Sequence, residues 1–144
     1  MKHDTLKTAV VFVFIFLFVY TAGSKWMDYA RFKWVLEDSP LLAPFSSIIA
    51  RGLPAVELLV AGLLLFPRTR KQGLLFTTIL MGLFSFYIGY MLLTASSLPC
   101  SCGGVLRSMN WSQHLVFNLF LFLLALWSYC SYHPVRSLLR NSRE

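Results

Sequence analysis

Apolar residues in this chain fall in long blocks rather than in stripes. Four blocks cover roughly residues 6–23, 44–66, 73–95 and 111–132. Each is close to the ~20 residues that carry a helix across a hydrocarbon core of ~30 Å. No block shows a charged face, so none reads as the amphipathic helix of a water-soluble domain. Residues 26–37 differ. There Trp26, Tyr29, Phe32 and Trp34 recur at helical spacing between Asp28, Arg31, Lys33 and Glu37. Aromatic and charged residues in alternation suit a helix lying at the membrane–water interface. Ser39-Pro40 ends that segment, and Pro67-Arg68-Thr69-Arg70-Lys71 forms a basic turn between the second and third blocks. The pattern predicts an all-α fold: a four-transmembrane-helix bundle in one domain, 1–144, with a short amphipathic surface helix between helices 1 and 2.

Within the blocks, Pro44 fits a first helical turn and Pro54 predicts a kink in the second helix. Ser85 and Gly89 are spaced for close helix contact in the third. Asn110 or Ser112 is the expected cap of the fourth.

Composition supports this reading. The chain is 57% hydrophobic and 13% charged, against about 25% charged for soluble domains. Its net charge of +7 would fit nucleic acid, but the bases sit in short clusters beside the apolar blocks. Such clusters are topology signals, and no nucleic-acid partner is expected. The first block resembles a signal peptide, but Gly23-Ser24-Lys25-Trp26 makes a poor cleavage site, so a retained first helix is expected. Eight Lys and Arg (Lys2, Lys7, Arg68, Arg70, Lys71, Arg136, Arg140, Arg143) fall on one side and five (Lys25, Arg31, Lys33, Arg51, Arg107) on the other. The positive-inside rule then places both termini in the cytoplasm, and the loop after the third helix outside, in a bacterial periplasm.

That loop holds Cys100-Ser101-Cys102, two of the three cysteines. A disulfide between them closes a small, strained ring, and strain makes such a bond more oxidising. Pro99 stiffens one flank and Gly103-Gly104 frees the other. A reactive dithiol, a static bridge and a copper site are all open on the residues alone. His114 and Asn118 lie four apart on the fourth helix, with Trp111 three before the histidine, so the three share a face. His114 could act as a base toward a thiol, or bond across helices with Asn118. Glu57 lies in mid-span, where a carboxyl is costly and faces the bundle interior. It could relay a proton, bond a quinone-like ligand, or bond Asn118 or the backbone freed by Pro54. Cys130 reads as a small packing residue. There is no H-E-x-x-H, no Walker loop, no G-x-G-x-x-G and no C-x-x-C.

Taken together, Thr21-Ala22-Gly23-Ser24-Lys25, Ser39-Pro40-Leu41-Leu42, Pro54-Ala55-Val56-Glu57-Leu58-Leu59 and Pro99-Cys100-Ser101-Cys102-Gly103-Gly104, followed by Trp111-Ser112-Gln113-His114 and Asn118, resemble the MauE/DoxX-like redox-associated membrane proteins. The resemblance covers nearly the whole chain. It implies four helices in the inner membrane and, for MauE, a link to methylamine utilisation through maturation of a disulfide-rich periplasmic partner. The architecture is also similar to quinone-coupled disulfide-forming membrane proteins, although this chain has C-x-C rather than C-x-x-C and no second dithiol. The expected function is thiol–disulfide exchange with a periplasmic protein or redox complex. Cys100, Cys102 and His114 would carry the chemistry; Glu57, Trp111 and Asn118 would line a site for a quinone. A non-enzymatic assembly subunit and a metal or haem carrier are the alternatives.

Overall fold

A computed structural model describes residues 2–94 and 110–132. The described residues form five helices and one 3-10 turn, with no strand. Helix α1 (Lys2–Met27) leads directly into α2 (Tyr29–Glu37); the turn Ala43–Phe45 opens α3 (Ser46–Leu65); α4 (Arg70–Thr94) and α5 (Trp111–Cys130) follow. Four of these helices, α1, α3, α4 and α5, are long and apolar enough to cross a membrane. The amphipathic segment forms α2, as its spacing predicts, and packs on α3. The loop with Cys100 and Cys102, and the basic tail, lie outside the described residues.

The helices run up and down. α1 packs chiefly on α3 and α4 chiefly on α5, with α3 and α4 joining the two pairs. One inward stripe per helix builds the core. Val10, Val11, Phe14, Phe18 and Ala22 come from α1; Ala50, Val60, Ala61 and Leu64 from α3; Leu74, Leu80 and Met81 from α4; Leu121 and Ala125 from α5. The outward faces are equally apolar: Phe16 and Ile48 are each 73% exposed and Phe86 71%. Water would not tolerate so much exposed apolar surface on a small monomer, whereas lipid tails match it.

The helix ends explain how the pairs are joined. At the end where α1 begins and α5 stops, Lys7 Nζ donates to the Ser131 carbonyl at 2.8 Å. Thr69 Oγ1 donates to the Leu63 carbonyl at 2.9 Å, and Arg70 Nε to the Leu64 carbonyl at 3.2 Å. These side chains take up carbonyls that a helix C-terminus leaves without partners. At the opposite end, fully buried Ser39 donates to Met91 Sδ at 3.8 Å, tying the α2–α3 connection to α4. Asn110 caps α5, as expected, and its own N–H donates to Gln113 Oε1 at 3.1 Å. Within α4, Thr77, Thr78 and Ser85 each donate to the carbonyl four residues earlier, all at 2.8 Å. Their hydroxyls are therefore satisfied and can be buried.

Some expectations are corrected. α1 continues past residue 23 to Met27, which brings Lys25 onto the first membrane helix. The close approach lies elsewhere than at Gly89, where an added Cβ would meet nothing within 4 Å. Gly73 is the tight position: a Cβ there would stand 2.9 Å from the Leu64 backbone nitrogen. The reason is geometric, since the short Phe66–Thr69 turn presses the start of α4 onto the end of α3. Cys130 is exposed, because it follows the buried position Ser128 by two residues and so leaves the inward face.

Gly73→Ala should therefore cost about 1–3 kcal/mol through overpacking against backbone that cannot move aside. Gly89→Ala should be neutral or slightly stabilising, since it fills open space and favours helix. Reversible unfolding of both variants in mixed micelles checks the contrast.

Candidate functional site

A carboxylate and an ammonium meet inside the bundle. Glu57 is the twelfth residue of α3, on the inward stripe that runs Ala50, Pro54, Glu57, Val60 and Leu64. Lys25 lies in the last turn of α1, one helical turn beyond buried Ala22. Lys25 Nζ stands 2.7 Å from Glu57 Oε1 and 3.0 Å from Oε2, so the ammonium donates to both oxygens. The carboxylate side chain is 1% exposed and that of Lys25 14%. The Thr21 hydroxyl, one turn back from Lys25, donates to the Phe18 carbonyl of its own helix at 3.3 Å. The Phe32 ring of α2 lies 5.8 Å from the ammonium, close enough for cation–π attraction. Position in the last turn of α1 helps further, because a cation is favoured at a helix C-terminus.

The two charges need each other. Either alone in hydrocarbon would carry a solvation cost of several kcal/mol. The expected partners of Glu57, Asn118 or backbone near Pro54, are replaced by Lys25. The helix is continuous across Pro54. Sequence reasoning placed Lys25 among the topology charges and missed it. The signal was the Phe14, Phe18, Ala22 stripe, whose next inward position is Lys25.

α5 supplies the other polar groups. His114, Asn118, Leu121, Ala125 and Ser128 are its buried positions, and Trp111 at the same phase is half-buried. The shared face read from W-x-x-H-x-x-x-N is thus the inward one. α5 also contacts α1, the helix that carries Lys25. Cys100 and Cys102 lie outside the described residues. The segment that carries them joins Thr94 to Asn110. His114 stands in the first turn beyond that segment.

Removing one partner of the pair should be far worse than removing both. Lys25→Met or Glu57→Gln alone should cost about 3–5 kcal/mol, because an uncompensated polar or charged group stays buried. The double variant Lys25→Met with Glu57→Leu should recover most of that loss. A double-mutant cycle in reconstituted protein measures the coupling directly.

Comparison with known proteins adds a family. A family model described as methylamine utilisation protein MauE matches residues 3–131. No curated protein and no solved structure matches the chain. The match runs through all four membrane helices and both charges of the ion pair. This chain, a membrane protein by its helices, therefore belongs to the MauE family, which is linked to methylamine utilisation.

Proposed function

We propose that this protein performs thiol–disulfide exchange at the outer face of a bacterial inner membrane, using Cys100 and Cys102 on a periplasmic loop. One placement carries the reading. The cysteine segment enters α5 directly before His114, a buried imidazole at the same end of the bundle as the α4 C-terminus. A histidine so placed can take a proton from an attacking thiol and return it to a leaving thiolate.

The exchange balances as follows. A thiolate of the partner attacks the Cys100–Cys102 disulfide, forming a mixed disulfide and releasing one cysteine thiolate. The partner's second thiolate then resolves the mixed disulfide. The partner leaves with a disulfide, and Cys100 and Cys102 are left as thiols, carrying two electrons and two protons. A lipid-soluble quinone supplies the two-electron acceptor when bound. Asn118, buried, and Trp111, half-buried two helical turns before it on the same face, suit an uncharged ring with a carbonyl oxygen: the amide would donate and the indole would line the approach. Both oxygens of Glu57 are engaged by Lys25, so its contribution runs through that pair rather than through direct contact. Maturation of a disulfide-bearing periplasmic protein is the service such chemistry provides, and it fits the family's link to methylamine utilisation.

In a Cys130→Ser background, a membrane-impermeant thiol reagent should label Cys100 and Cys102 in intact cells only after mild reduction. Cys100→Ser and Cys102→Ser should each abolish exchange, and one of them should trap a mixed disulfide with the partner. His114→Gln should slow exchange by about 100-fold, the usual loss on removing a general base. Thiols that label without reduction would point to metal binding. Full function in both serine variants would make the protein an assembly subunit instead.

A further inference from the structure

The end of the bundle where α1 begins and α5 stops carries Lys7, Arg68, Arg70 and Lys71, and Asp4 is the acid there among the described residues. Two of the four cations serve the fold. Lys7 Nζ donates to the Ser131 carbonyl at 2.8 Å and Arg70 Nε to the Leu64 carbonyl at 3.2 Å. Arg68 and Lys71 are exposed, and among the described residues neither pairs with a carboxylate. The opposite end differs, because its cations have partners: Lys25 with Glu57, Lys33 with Glu37 at 3.5 Å, and Arg51 with the Tyr29 hydroxyl at 3.3 Å.

Contacts draw the four cations round one helix end. Lys7 reaches Ser131, just past α5. Lys71 Nζ stands 5.9 Å from the centre of the Tyr129 ring, in the last turn of α5. The Tyr132 hydroxyl donates to the Pro67 carbonyl at 3.3 Å, which ties the turn carrying Arg68 to the same place. The start of α1, the α3–α4 turn and the end of α5 therefore form one platform. The Leu64 bond uses Nε of Arg70, so its Nη groups still have N–H bonds to give. Arg70 and Lys71 also open α4, with no acid in its first turn. A cation is disfavoured at a helix N-terminus, so these charges gain from an anion brought from outside.

We propose that this platform binds the headgroup of an anionic phospholipid, with Arg68, Arg70 and Lys71 donating to its phosphate. Phosphate accepts charge-assisted hydrogen bonds from both guanidinium and ammonium groups. Basic pockets between membrane helices take such headgroups. The site is independent of the redox reading above.

Position selects a lipid over a soluble anion. The span of α4 that is apolar enough to cross a membrane starts at Arg70, so the cations stand at the level where headgroups lie. Leu75 and Ile79 follow Lys71 down one face of α4 and are 38% and 47% exposed. A molecule with its phosphate at Lys71 can lay an acyl chain along that face. A tyrosine ring beside the ammonium suits the same interfacial level. Cations that act only as a topology signal need their number on one side of the membrane. A headgroup site needs their arrangement as well, and the two roles are separable by experiment.

The test is native mass spectrometry of the full chain in detergent micelles, titrated with phosphatidylglycerol or with zwitterionic phosphatidylcholine. Phosphatidylglycerol should be held more tightly. Arg68→Gln with Lys71→Gln should weaken it about fivefold for each charge removed and leave phosphatidylcholine unchanged. Both side chains are exposed, so helical circular dichroism should persist; if the double variant loses it, Arg68→Gln alone reads the loss of one charge. Tyr132→Phe keeps every charge but removes the bond to the Pro67 carbonyl, and should weaken phosphatidylglycerol about twofold or more. Arg51→Gln, at the opposite end, should alter neither lipid. Equal retention of the two lipids would overturn the proposal. So would a loss in Arg51→Gln matching that in the double variant, since net charge would then suffice, and so would unchanged retention in Tyr132→Phe. Displacement of phosphatidylglycerol by excess inorganic phosphate would make this a free-anion site and overturn the lipid assignment.

Discussion

An ammonium and a carboxylate held 2.7 Å apart inside an apolar bundle decide how α1 meets α3. In lipid there is no water to stabilise a misplaced ion, so any packing that separates Lys25 from Glu57 leaves both exposed to hydrocarbon. Apolar contacts alone define the pairing of two lipid-facing helices poorly, because lipid tails are as apolar as the partner helix. The ion pair removes that degeneracy. It fixes the rotation of α1, sets its depth against α3, and brings the Phe14 and Phe18 face onto the Val60 and Leu64 face.

Other constraints act at the ends. Side chains of Lys7, Thr69 and Arg70 take up helix carbonyls at the end where α1 begins, while Ser39 and Met91 close the opposite end. Gly73 lets α4 start against the backbone of α3. The middle of the bundle is left to the core stripes and to one polar site. The ends are tied, and between them the ion pair joins α1 to α3.

A buried ion pair is weak support for stability, since well-packed apolar residues of similar volume often serve as well. Its value here lies in specificity of packing.

Much of this architecture was legible in the residues alone. Block lengths near a bilayer's thickness, the aromatic and charged 26–37 segment and the turn at Pro67 determined four membrane helices and a surface helix. Helical spacing placed Trp111, His114 and Asn118 on one face, and a carboxyl in mid-span had to point inward. Asn110 was readable as a cap because capping is local. The partner of Glu57 was not readable, since it lies 32 residues away. Nor was the close approach at Gly73 rather than Gly89, or the exposure of Cys130. In helices apolar on every side, periodicity does not mark which face turns inward or at what depth one helix meets the next. Those are rotations and translations between helices, settled by the Lys25–Glu57 attraction and by packing, and so decided only in the tertiary structure.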